Sequence, residues 1–98
     1  MTDLDGNTVL CAAAEAGDTL GVKQLIASNA AIDVKNKSGH TPLMLAASAG
    51  HADIVRCIIA AGADLRAQNK QGQTALDLAV QSGHNAAVQV LTVVCDDE

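Results

Sequence analysis

Three histidines, three cysteines and one carboxylate set among apolar neighbours are the residues of this chain best placed to do chemistry. A histidine can act as general acid or base near neutral pH, or hold a metal ion. His40, His51 and His84 do not form the His-Glu-x-x-His pattern that would put two rings on one helix face. Cys11, Cys57 and Cys95 lie 46 and 38 residues apart, so no close CxxC-type pair offers a zinc corner. Asp77 has no partner carboxylate in sequence with which to divide acid and base roles. The nucleophile elbow, the phosphate-binding loop and the dinucleotide glycine pattern do not occur. What remains for these residues is packing and hydrogen bonding. The expectation is a chain that is not an enzyme, with no catalytic residue, no cofactor and no metal.

His51 and His84 each follow a glycine, and the 33-residue step between them recurs along the whole chain. Gly6, Gly39 and Gly72 share it, as do Thr8, Thr41 and Thr74; Leu10, Leu43 and Leu76; Ala13, Ala46 and Ala79; Gly17, Gly50 and Gly83; and Val22, Val55 and Val88. A fixed period of this length is the signature of a stacked array, in which each unit buries its apolar face against a neighbour.

The middle copy shows how one unit is built. Thr41 can cap a helix through its hydroxyl, and Pro42 suits the first helical position, where no amide donor is needed. Leu43, Leu45, Ala46 and Ala47 supply a packed face, and Gly50 ends the helix in the left-handed conformation. A second helix is predicted from Ala52 to Ala60. Its Ile54, Val55, Ile58 and Ile59 form one amphipathic stripe, and Gly62 stops it. Asp64 to Lys70 then projects as an extended hairpin-like loop, with Asn36 and Asn69 accepting turn hydrogen bonds. His51 and His84 are expected to bond backbone or cap the second helix, and His40 to be exposed. In the first copy Gly21 falls inside the second helix, where a mid-helix glycine costs roughly 1 kcal/mol against alanine. Asn29 replaces the stop glycine there, which asparagine's tolerance of the left-handed region allows.

Composition narrows the classes. With 98 residues, 49% hydrophobic and no aromatic side chain, the core has to be Leu, Ile, Val and Ala, with Cys11 and Cys57 as small core residues. The net charge of −5 argues against nucleic acid and anionic membranes, which need a basic face. No run of about 20 apolar residues spans a membrane. The odd cysteine count fits a reducing compartment, so the expected location is intracellular, cytoplasmic or nuclear.

The middle copy, Gly39-His40-Thr41-Pro42-Leu43-Met44-Leu45-Ala46-Ala47 followed by Gly50-His51, Ile54-Val55 and Gly62-Ala63-Asp64, resembles an ankyrin repeat. The resemblance covers essentially the whole chain as one domain, 1–98, with copies at about 3–35, 36–68 and 69–98. It implies an α class fold, a helical repeat solenoid of helix-turn-helix units with hairpin-like loops. It also implies a non-catalytic module that binds a protein partner on a concave face of hairpin tips and first helices. Carried onto this sequence, that face is Leu4, Asp5, Asn7, Glu15 and Ala16 from the first copy. The second copy gives Lys37, Ser38, His40, Ser48 and Ala49, and the third Lys70, Gln71, Gln73, Gln81 and Ser82, with Lys35 and Gln68 beside the tips. Lys35, Lys37 and Lys70 make a basic edge that suits an acidic or hydrogen-bonding segment. Cys11, Met44 and Asp77 stand where the family has a histidine that ties adjacent loops. The departure implies looser loops, with Asp77 expected to make a loop-facing hydrogen bond instead.

The last helix carries Val88, Val90, Leu91, Val93 and Val94. Val90 matches Cys57, a position expected to face a following copy. Two readings of this stripe stay open: a piece of a longer array, or a face covered by self-association or a small adjustment. Cys95 is expected to be exposed.

Overall fold

The computed structural model describes residues 9–29 and 32–96, with side chains through residue 92. Six helices follow in order: α1 Val9–Ala16, α2 Thr19–Ala27, α3 Pro42–Ala49, α4 Ala52–Ala60, α5 Ala75–Ser82 and α6 Asn85–Asp96. No strand occurs among the described residues. The first helices form one layer, in which α3 packs against both α1 and α5. The second helices form another, in which α4 packs against α2 and α6. This is the helical repeat solenoid that the period predicts.

Each first helix is started and stopped by local chemistry. Thr41 Oγ1 accepts from the Met44 amide at 3.3 Å, with Pro42 at the first helical position. Thr74 Oγ1 does the same for Asp77 N–H at 3.3 Å, and Asp77 Oδ2 accepts the Thr74 amide at 3.1 Å, which closes a capping box. Asp77 is therefore bonded within its own helix start, not to the neighbouring loop: at the third helical position its short side chain reaches the cap first. At the other end Gly50 adopts φ 82, and His51 N–H donates to Ala46 O at 2.9 Å. Asp18 to Ala13 and His84 to Ala79 repeat that bond at 3.0 and 3.1 Å. The left-handed residue lets the chain reverse into the second helix while satisfying terminal carbonyls.

The second helices carry the aliphatic stripe. In α4 Ile54, Val55 and Ile58 are fully buried and Ile59 is half-buried. In α2 only Val22 is buried, with Leu25 and Ile26 half-buried. Gly21 sits in the first turn of α2, not at mid-helix. Its amide donates to Asp18 Oδ1 at 3.0 Å, and a Cβ there would run into the Asp18 carboxylate. The cap accommodates the glycine, and the lost isoleucine-sized packing leaves this pair with the thinnest core. Asn29 takes φ 64, as expected of a left-handed stop.

Coverage by neighbours explains most of the burial. Ala14 and Ala47 are both at 0% exposure, whereas Val80, at the same position of α5, is 59% exposed. Cys11 and Met44 are buried and Asp77 is exposed. These two rows face the following copy. On the opposite side Ala75 is buried at 2% and Val9 is 58% exposed. Three sequence expectations shift accordingly. Met44 joins the core at 1% exposure, while Leu45 is only half-buried. Leu45 belongs to the backward-facing row, and the side chains available to cover it from α1 are small. Cys57 is half-buried even with α6 beside its helix, so its row lies at the stripe's edge. Val90, in the same row, packs partly against the core. The open face is therefore marked by Val80 and Asp77. The side chains of Val93, Val94 and Cys95 lie outside the described residues.

The helix-ending glycines carry the inter-copy contact most sharply. A Cβ on Gly50 would lie 2.6 Å from His84 Nδ1, and one on Gly17 would lie 2.8 Å from His51 Cε1. Gly83 has the same left-handed φ, 74, with nothing within 4 Å of its Cβ position. Gly83→Ala therefore meets backbone strain alone, about 1 kcal/mol. Gly50→Ala meets that strain and the neighbour's ring, so it is expected to lower stability by about 1 kcal/mol more. Urea denaturation with unchanged m-values reads the difference; equal losses would mean that His84 swings away freely.

Candidate partner-binding site

The hairpin tips are built by two asparagines that do the same work 33 residues apart. Asn36 Oδ1 accepts from the Ser38 and His40 amides at 2.9 and 3.0 Å. Asn69 Oδ1 accepts from Gln71 and Gln73 N–H at 2.9 and 3.0 Å. Backbone bonds from Asn36 N–H to His40 O and from Asn69 N–H to Gln73 O close the same loop in each copy, at 3.0 and 2.9 Å. Both asparagines meet the sequence expectation.

Adjacent tips are tied directly. Lys70 N–H donates to Ser38 O at 3.3 Å, and Lys35 Nζ donates to Gln68 O at 2.8 Å. Asp64 N–H donates to Asp33 Oδ1 at 3.0 Å. Asn69 Nδ2 lies 3.2 Å from His40 Nε2 and 3.1 Å from Gln73 Oε1. Because Asn69 Oδ1 is engaged by two amides, its orientation is fixed and Nδ2 is the donor facing the ring. His40 Nε2 then accepts, and Nδ1 carries the proton. The tip ties that Met44 and Asp77 do not provide come instead from Lys35, His40 and Asn69. His40 is half-buried by this bond, not exposed. Asn69, 7% exposed, is the residue sequence reasoning missed as a bridge. Its turn role was legible, but its contact with a ring 29 residues away was not.

His51 serves a structural purpose. Its Nε2 donates to Glu15 O at 3.3 Å, joining the start of α4 to the end of α1. It makes no side-chain cap bond. His84 lies over Gly50 in the equivalent contact.

The site residues predicted from sequence fall into three groups. Lys37, Ser38, His40, Lys70 and Gln71 line one cleft of about 380 Å³ between two tips. Lys35 and Gln68 are joined beside it. Gln73 continues from Asn69 to Gln81, its Nε2 donating to Gln81 Oε1 at 2.7 Å. Glu15, Ala16, Ser48, Gln81 and Ser82 are exposed on the first helices, and Ala49 is half-buried there. Leu4, Asp5 and Asn7 lie outside the described residues. The cleft lining has two cations and no carboxylate, on a chain of net charge −5. Among the described residues, no cluster of His, Cys, Asp or Glu is arranged to hold a metal. Likewise no described helix is long and apolar enough to cross a membrane.

A family model described as ankyrin repeats, in three copies, matches residues 9–96. The chain belongs to the ankyrin repeat family, whose members are in general protein–protein interaction modules. No curated protein matches the chain significantly.

Proposed function

We propose that the chain is a non-catalytic module that binds a protein partner on the concave row of hairpin tips and first helices. The cleft formed by Lys37, Ser38, His40, Lys70 and Gln71 is the observation that carries this reading. Its tips are held by tip-to-tip hydrogen bonds, so a partner would meet a loop backbone already in place, with less entropy lost on ordering it. The row has no Trp, Tyr or Arg anchor, so affinity rests on many small polar contacts. Nucleic acid fits poorly with net charge −5. The reading includes an intracellular location, cytoplasmic or nuclear, which the odd cysteine count supports.

The test is affinity capture from cell extract with the parent chain beside a Lys37→Glu, Lys70→Glu, Gln71→Ala variant. His40 stays unchanged because it holds Asn69. A partner recovered with the parent and depleted about tenfold or more with the folded variant is the expected result. Equal recovery by both would move the site off the row.

Val80 favours a second reading, self-association through the open last face. At 59% exposure it stands where Ala14 and Ala47 are wholly covered. Sedimentation would then show mass rising with concentration for the parent, and Val80→Glu would stay monomeric. A parent that stays monomeric at millimolar concentration removes this reading.

A further inference from the structure

We infer that the cleft between the second and third hairpin tips receives the carboxylates of an acidic peptide segment, Asp or Glu side chains held between Lys37 and Lys70. The inference rests on the concave-row reading above and names the chemistry of its partner.

Four observations favour it. First, Lys37 and Lys70 are the same position in consecutive copies, and both line the cleft. Stacking brings these positions to about 10 Å apart, the spacing of packed helices, which puts both ammonium groups within reach of one bound segment.

Second, the cleft's charges are not used internally. Among the described residues the ion pair Arg56–Asp53, with 3.6 Å between Nη1 and Oδ1, lies on α4 and involves neither cleft lysine. Lys35, the third cation of this edge, is already committed to the Gln68 carbonyl. No acidic residue lines the cleft. The chain therefore holds a local positive site on a negative background, which suits a short acidic stretch better than an extended polyanion.

Third, the kind of donor separates a carboxylate from a phosphate. Phosphate sites are commonly nests of free backbone amides or Arg forks. Here the amides of Ser38, Gly39, His40, Lys70, Gln71 and Gly72 all donate within or between the tips. The cleft offers side-chain donors in their place: two lysine ammoniums, the Ser38 hydroxyl and the Gln71 amide. These are separate, movable donors that suit carboxylates at variable spacing.

Fourth, the cleft floor is fixed. The Lys70-to-Ser38 backbone bond and the Asn69–His40 bond set the distance between the tips. Gly39 permits that approach. With φ 81, its Cβ position lies 2.8 Å from the Lys70 nitrogen, so no side chain fits there. The lysine stems rise from a floor that need not reorganise when a segment binds.

The experiment is an NMR titration of the ¹⁵N-labelled full chain with a blocked peptide of alternating Glu and Ser. A counterpart with Gln in place of Glu, and inorganic phosphate, are titrated in parallel. The Glu peptide is expected to shift the amides of Ser38, His40, Lys70 and Gln71 saturably, and the Gln peptide is expected to bind at least about tenfold more weakly. Raising salt from low to physiological strength weakens the Glu peptide several-fold. Lys37→Glu with Lys70→Glu abolishes the shifts. Lys23→Glu with Arg56→Glu, which lowers net charge equally but away from the cleft, retains most of the binding.

Equal binding of Glu and Gln peptides overturns the inference, as do shifts centred elsewhere or no shift at millimolar peptide. Phosphate moving the same amides where the peptide does not would also overturn it. If the peptide fails while the row variant still loses a captured partner, the concave-row reading stands and the acidic segment alone is rejected.

Discussion

Each helix pair in this chain is covered only where another pair lies against it, and the rest of the structure follows from that constraint. An isolated pair leaves a row of small side chains open. The fully buried Ala14 and Ala47 and the largely exposed Val80 are the same row with and without a neighbour. Burying aliphatic surface contributes roughly 25 cal/mol per Å². A core without aromatics can reach native packing only by close helix approach, which alanine at these positions permits. The histidines read first as chemistry belong to the same arrangement. His51 lies over Gly17 and His84 over Gly50, so two rings of potential acid–base function serve as spacers between copies.

The same stacking generates the candidate binding surface. Helices in register force their loops into register, and loops in register set equivalent residues side by side. Lys37 and Lys70 meet at one cleft for no other reason than the 33-residue period. The loops then need their own ties, because three pairs of short helices alone would leave long connections free to move. Asn69 supplies much of this. One amide holds its own turn through Oδ1 and reaches both His40 and Gln73 through Nδ2.

Most of the architecture was legible in the sequence because it is written as local, repeated chemistry. Thr41–Pro42, Gly50 and the span Ala52–Ala60 each follow from capping, left-handed stops and aliphatic periodicity. The less legible parts depend on contacts between copies. Periodicity alone did not show that Cys57 and Val90 lie at a stripe's edge, or that Met44 rather than Leu45 enters the core. Asp77 looked like a stand-in for a missing loop tie, yet its nearest partner is its own helix cap. His40 looked exposed until Asn69 was placed beside it. The candidate cleft was half-visible: its residues could be named from the repeat, but their convergence required the third dimension.

Stability by neighbour coverage has a consequence that can be read residue by residue, because repeat arrays open from their ends and thin units open first. Native-state amide hydrogen exchange on the full chain is the most direct measurement. The middle pair, covered on both sides and carrying Ile54, Val55 and Ile58, should show the slowest exchange. The first pair, with Val22 as the one buried residue of α2, should open well before it. Protection that is uniform across the three pairs, or greatest in α1 and α2, would contradict the account.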